Sequence, residues 1–368
     1  MPTPFTQNEI RRLIGMFEVY GDFLVGTPFG NGNVNDTFQL TFDQGGVRLH
    51  YILQRINSNV FKEPVKVMEN VSRVTNHILK KIKAAHNETR KRTIRLLKAL
   101  DGRPFAVDDM GNCWRAYVFV EHARAYEVLE TPEQAFRVAQ GFGEFQEQLT
   151  DLPGRLHETI PDFHNTPKRV AQLEAAIKVD CCNRVKTVQK EIDFVLSRAA
   201  ETDTLLKLHQ SGDIPERITH NDTKANNILI DDLTGEAVCV IDLDTVMPGL
   251  SLYDFGDMVR SGTNPAEEDE LNLDKVGMRF DMYKGFFEGF VDAAGKFLTP
   301  AELEYLPFSG KLITLEIGMR FLTDYLAGDV YFKTRRPGHN LDRCRTQFKL
   351  VESMEAQMNH MKALLLNE

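Results

Sequence analysis

The sequence predicts an α+β protein of two lobes, a small β-rich one over residues 1–121 and a larger, mainly helical one over residues 122–368. Short β-branched and aromatic runs bounded by turn residues occupy the first 120 residues, whereas from Thr131 onward apolar residues recur at helical spacing over long stretches. A third observation is one hairpin-like insertion, residues 227–241, set inside the helical half.

In chain order, Phe23–Val25 and Phe38–Phe42 read as strands around the turn Gly30-Asn-Gly-Asn-Val-Asn-Asp36. Gly30 and Gly32, with Asn33 and Asn35, suit the approach of backbone N–H groups to an oxyanion, because glycine puts no Cβ in the way. The next strand, His50–Ile56, carries Arg55, whose guanidinium could grip an oxyanion through two donors. A helix starts at Pro64, with Val67, Met68, Val71, Val74, Ile78 and Ile82 as its apolar stripe. Trp114–His122 reads as the last strand of the first lobe and leads into a connection around Glu121. Thr131 is an N-cap with Pro132 in the first turn, and Ala135, Val138, Phe142, Phe145 and Leu149 keep the helical period. Further helices are expected over 186–209, 273–294, 300–327 and 341–366.

The chemistry concentrates between His220 and Asp244. Asn227–Ile230 and Ala237–Ile241 are apolar runs joined by Asp231-Asp-Leu-Thr-Gly235, which is turn chemistry, so the hairpin brings Asn227 and Asp242 to the same end. Asp242 and Asp244 lie two apart and would leave one face of a strand. Like charges held close in low dielectric favour a bound divalent cation, and hard oxygen donors with an amide suit Mg²⁺.

The spacing His220-x-Asp222-x-x-x-x-Asn227, followed after the hairpin by Asp242, resembles the phosphoryl-transfer constellation of the protein-kinase-like superfamily. With no Arg after His220, it is similar to the aminoglycoside phosphotransferase and choline kinase branch. Within that branch, Ile241–Gly249, Tyr253–Asp257 and Arg320–Phe332 resemble the N-acetylhexosamine 1-kinases, which phosphorylate the anomeric hydroxyl of GlcNAc or GalNAc. The resemblance implies a two-lobed protein-kinase-like fold that uses ATP and Mg²⁺ on a small-molecule sugar. It implies Asp222 as the base, Asn227 and Asp242 as magnesium ligands, and Asp244 as a carboxylate that either supports the ligands from behind or faces the substrate, rather than a direct ligand.

It further implies that the Gly30–Asn35 turn covers the phosphates and that the backbone around Glu121 meets adenine. The Lys such kinases carry on the third strand is absent, which leaves the phosphate clamp to Arg55 or Gln54, with Arg55 preferred for its two donors and Glu69 where the clamp's partner would sit. Arg320, Asp324 and Tyr331 would recognise the sugar. Asp254-Phe-Gly256 spells a kinase metal motif but comes after the Pro248–Gly249 turn, so Asp254 is expected to brace the catalytic loop instead. Choline, homoserine or an aminoglycoside as acceptor, or a non-catalytic nucleotide-binding module, are the alternatives.

Composition excludes other classes. A net charge of −9 disfavours nucleic acid as a partner. No apolar run approaches a membrane span, and the N-terminus has neither a basic head nor an apolar core. Five cysteines, odd in number and without zinc spacing, fit a reducing cytoplasm.

Overall fold

The computed structural model describes residues 5–30, 34–86 and 91–366. By compactness the chain forms two units that interleave along the sequence. The first comprises residues 1–124, 151–160 and 229–247; the second comprises 125–150, 161–228 and 248–368.

The first unit is built on an antiparallel sheet in the order β1-β2-β3-β5-β4. Its strands are β1 (Asp22–Pro28), β2 (Asp36–Gln44), β3 (Val47–Arg55), β4 (Ala106–Val107) and β5 (Cys113–Val118). Alternation decides which face is buried: Phe38, Leu40 and Phe42 of β2 point into a core with Tyr51, Leu53, Trp114 and Ala116. Trp114 is fully buried, with its indole N–H donating to Asp108 at 2.8 Å. Helix α1 (Gln7–Ile14), not expected from the sequence, closes this core with Ile10, Leu13 and Ile14; a Thr6–Glu9 capping box starts it. Helix α2 (Pro64–Ala84) buries the whole expected stripe from Val67 to Ile82. A second small sheet, β6 (Ala123–Arg124), β8 (Ile228–Asp231) and β9 (Ala237–Val240), contains the expected hairpin.

The second unit is mainly helical. Its elements are α3 (Pro132–Leu149), α4 (Thr166–Val179), α5 (Gln189–Leu196), α6 (Thr204–Ser211), β7 (Arg217–Thr219) and β10 (Met247–Gly249), then α7 (Ser251–Gly262), α8 (Phe280–Ala294), α9 (Pro300–Leu326) and α10 (His339–Ala363). Helices α3 and α8 approach closely because Gly285 and Gly289 face carbonyls of α3; a Cβ on Gly289 would lie 2.1 Å from the Phe136 oxygen. Capping boxes at Thr131 and Thr299 start α3 and α9 as the sequence signals predict. The single helix expected over 186–209 is broken into α5 and α6, the one expected from 273 begins only at Phe280, and α4 and α7 were not expected. Among the described residues no helix is long and apolar enough to cross a membrane.

Candidate active site

The loop from His220 to Asn227 in the second unit is held by one carboxylate. Asp254, in the first turn of α7, is fully buried and accepts the backbone N–H of His220 at 2.9 Å and of Asn221 at 2.7 Å. Gln146 Nε2 donates to the same carboxylate at 2.6 Å, and the Thr223 hydroxyl donates to the Asp254 carbonyl at 2.6 Å. Asp254 therefore braces the loop, as expected. Asn221 takes a left-handed backbone (φ +66), which Asn tolerates better than most residues. The buried His220 ring sits edge-on to Phe142 and Phe145, with centroids at 5.4 and 6.0 Å, and its Nδ1 accepts the Asp222 N–H at 3.3 Å. That bond assigns His220 to shaping the loop.

With its backbone held, Asp222 presents a side chain that is 29% exposed. Lys224 Nζ lies 2.9 Å from one oxygen, and Asn227 Nδ2 donates to the other at 2.9 Å and to the Asp222 carbonyl at 2.8 Å. Burial pushes the Asp222 pKa up, but the Lys224 ammonium outweighs it, with His220 and Arg260 adding to the pull, so the carboxyl sits below its ordinary value. The Lys224 pKa is raised in turn by Asp222. Both hydrogens of the Asn227 amide are turned to Asp222, which leaves its oxygen as the donor end, the orientation that ligation of a hard cation requires. Sequence reading missed Lys224; a basic residue two positions after the candidate base was the available signal.

A second polar cluster of this unit surrounds α9. The Arg320 guanidinium lies over the rings of Phe163 (5.4 Å), Phe332 (5.7 Å) and Tyr331 (6.0 Å). Asp324 does not join it and is corrected from a sugar ligand to a loop organiser. It is 4% exposed and accepts the N–H groups of Val330, Tyr331 and Phe332 at 2.8–2.9 Å, with Asn340 Nδ2 at 2.9 Å. Local capping of the chain beyond the helix end consumes its lone pairs. One turn before Arg320 the fully buried Glu316 accepts from Thr166 (2.6 Å) and pairs with His164 Nδ1 (2.9 Å), a pair that sequence reading did not find. Burial raises the Glu316 pKa, but His164 and Arg320 more than offset this, and its carboxyl lies below the usual range.

In the first unit, the substrate-facing role of Asp244 is corrected in favour of the supporting one. It is 2% exposed and ion-paired with the buried Arg115 of β5, while Asn35 Nδ2 donates to its second oxygen at 2.6 Å. Gln54 takes the Arg115 Nε–H at 2.9 Å, and the Asn57 N–H completes the Asn35 amide at 3.0 Å. A cation inside the apolar run Trp114–Val120 requires a buried anion, the signal that could have found Arg115. Arg55 pairs with Asp36, its cross-strand neighbour, through Nε at 2.8 Å. Glu69 pairs with His157 at 2.6 Å. Gly30 adopts φ +77, which glycine alone reaches without strain; Gly32 and Asn33 lie outside the described residues. The Glu121 carboxylate pairs with His50 at 2.6 Å, and its carbonyl accepts from Arg92. Asp242 follows β9 in a left-handed conformation (φ +55).

The model of the phosphotransferase enzyme family matches residues 25–282, more than half of the chain, and the chain belongs to that family. Among solved structures, an aminoglycoside phosphotransferase from Alicyclobacillus acidocaldarius is 13% identical with a TM-score of 0.62, over 100% of this chain and 98% of that one. The choline kinase of Cryptosporidium parvum is 12% identical with a TM-score of 0.58, covering 95% and 94%. A spectinomycin phosphotransferase in complex with ADP and spectinomycin is 13% identical with a TM-score of 0.51, covering 97% and 99%. The fold is thus the expected kinase-like one, a small antiparallel-sheet part followed by a larger helical part.

Proposed function

We propose that this protein is an ATP- and Mg²⁺-dependent kinase that transfers the γ-phosphoryl group to the anomeric hydroxyl of an N-acetylhexosamine, yielding the sugar 1-phosphate. The observation that carries the reading is the loop in which Asp254 anchors the backbone while Asp222 and Asn227 face one another, in a chain of the phosphotransferase family. Asp222 accepts or orients the acceptor proton, a contribution of about 10²–10⁴-fold. Asn227 and Asp242 would hold Mg²⁺, which when bound supplies charge neutralisation on the β- and γ-phosphates. Their oxygen-donor chemistry suits that ion. Lys224 stands beside Asp222 and keeps the base ionised.

The Gly30–Asn35 turn would approach the phosphates through its backbone, with Asn35 also steadying Asp244. Arg55 would have to exchange Asp36 for phosphate, and a pair so exposed contributes no more than about 1 kcal/mol. The backbone around Glu121 would meet adenine. The relative captured with ADP supports nucleotide use.

The acceptor is read from Arg320. Its guanidinium already occupies the aromatic group formed by Phe163, Tyr331 and Phe332. A quaternary ammonium or a polycationic aminoglycoside would meet like charge there, whereas a neutral sugar gains donors from Arg320 and ring faces to stack on. Phosphorus NMR of mixtures of Mg·ATP with GlcNAc, GalNAc, choline, homoserine and kanamycin tests this. A phosphomonoester on C1 of either hexosamine is expected. Transfer to choline or kanamycin with both hexosamines untouched overturns the sugar reading, and absence of transfer to every alcohol overturns the kinase reading.

A further inference from the structure

Helix α4 of the second unit ends at Val179, and the turn that follows carries two adjacent thiols, Cys181 and Cys182, both exposed and neither in a disulfide. The turn is held at both ends. Asp180 and Asn183 take left-handed backbone conformations (φ +40 and +55), which these residue types tolerate, and the Asp180 carbonyl accepts the Asn183 N–H at 3.0 Å. The Asp180 carboxylate accepts the N–H groups of Arg184 (2.8 Å) and Val185 (3.1 Å). Arg184 in turn donates to the Tyr325 carbonyl at 2.6 Å and to Asp329 at 2.7 Å, which fixes the turn against the end of α9.

Within this frame the two sulfurs lie 3.6 Å apart. The Cys181 thiol donates to the Leu326 carbonyl at 3.4 Å, and Cys182 lies against Gly328, where an added Cβ would stand 3.1 Å from its sulfur. The pair is therefore arranged before any ligand arrives, and a ligand that uses both sulfurs has little ordering left to do.

The spacing selects among the reactions open to two thiols. A disulfide requires the sulfurs to close to about 2.05 Å, far inside their present separation. A linear two-coordinate metal needs them on opposite sides of itself, further apart than they stand. A pyramidal centre takes its ligands from adjacent corners, which neighbouring sulfurs can supply. Structural zinc wants four protein ligands. Among the described residues no group of three or more His, Cys, Asp or Glu side chains is placed to hold a metal ion, so the third position of a centre bound here must come with the ligand. The contact with Cys182 pushes the Cys181 thiol up, which disfavours reactions that need a lone thiolate and leaves those that consume two thiols together with their protons.

We infer that Cys181 and Cys182 form a chelating site for trivalent organoarsenicals, soft three-coordinate centres that bring their own third substituent. In the binding step the oxygen of R–As=O leaves as water with the two thiol protons, two As–S bonds replace the As=O bond, and arsenic stays trivalent. No oxidant or reductant is needed. The other cysteines, Cys113, Cys239 and Cys344, are buried and offer no exposed pair. Through its contacts with Leu326 and Gly328 the site stands at the root of the loop that carries Tyr331. Its existence is independent of the acceptor assignment.

The probe is phenylarsine oxide, added to the reduced full-length chain and followed by native mass spectrometry. One phenylarsenic adduct per chain is expected, persisting in excess glutathione and removed by 2,3-dimercaptopropanol, because a chelate resists monothiols and yields to a competing dithiol. Cys181→Ser and Cys182→Ser should each weaken binding by about 10²-fold or more, since the second bond is then no longer intramolecular. Both side chains are exposed, so these variants keep the fold, checked by circular dichroism. Absence of an adduct, its loss to glutathione, or an adduct undiminished in either variant overturns the inference.

Discussion

Two carboxylates, one in each unit, show how burial divides structure from chemistry. Asp244 is sealed, with Arg115 on one oxygen and Asn35 on the other, and those two are themselves fixed by Gln54 and Asn57. Asp222 has its backbone immobilised through Asp254, yet its carboxylate faces Lys224 and Asn227 and stays 29% exposed. A sealed carboxylate can only hold neighbours in place. One whose supports lie in the backbone can keep its position while exchanging its side-chain partners for a substrate.

The largest expected effect tests the exposed member of this comparison. Asp222→Asn should lower kcat by about 10²–10⁴-fold while the melting temperature falls only slightly through loss of the Lys224 pair, because the carboxylate contributes mainly in the transition state. Calorimetry should find Mg·ATP affinity retained in that variant and weakened in Asp242→Asn. Equal affinity in the two would remove the proposed division between base and metal ligand.

For the sealed member the loss should appear in stability. Arg115→Met leaves Asp244 buried without its counter-ion and should cost about 3–5 kcal/mol in urea unfolding. A cost below about 1 kcal/mol would mean that Asp244 is solvated in solution, and the contrast with Asp222 would fail.

Asp254→Asn lies between the two. The amide cannot accept from His220, Asn221 and Gln146 together, and one unsatisfied buried donor costs about 1–3 kcal/mol. The variant should melt earlier yet keep most of its kcat below its transition. Normal melting with no activity would move Asp254 from the brace into the chemistry.

The smallest effect belongs to Arg55→Ala. Its pair with Asp36 is solvent-accessible, so stability should change by less than about 1 kcal/mol. A rise of tenfold or more in the KM for ATP would make Arg55 the phosphate clamp, and an unchanged KM would return it to the surface of the sheet.

Much of this contrast was legible before any coordinates. The loop from His220 to Asn227 spans eight residues, so its chemistry is local and the spacing exposes it. The position of Asp254 after the Pro248–Gly249 turn was enough to expect a brace. Arg115 was not legible because its partners Gln54 and Asp244 lie 61 and 129 positions away. Asp324 misled for the opposite reason. Its spacing of four from Arg320 suggests a shared face, but three backbone N–H groups six to eight residues further on took its oxygens. Helix α7 was hidden by its own function, since its first turns combine Asp254 and Gly256, chosen for the loop and for close approach to α9 rather than for helix propensity.

The sequence by itself determined the β-rich start and helical remainder of the chain, the capped starts at Thr131 and Thr299 and the grouping of Asp222 and Asn227 on one loop, because periodicity, caps and short spacings act between near neighbours. Only the tertiary structure decided which carboxylates are spent and which remain available. That depends on donors brought from distant parts of the chain, and the energy of a buried charge is set by its surroundings in space rather than by its neighbours in sequence.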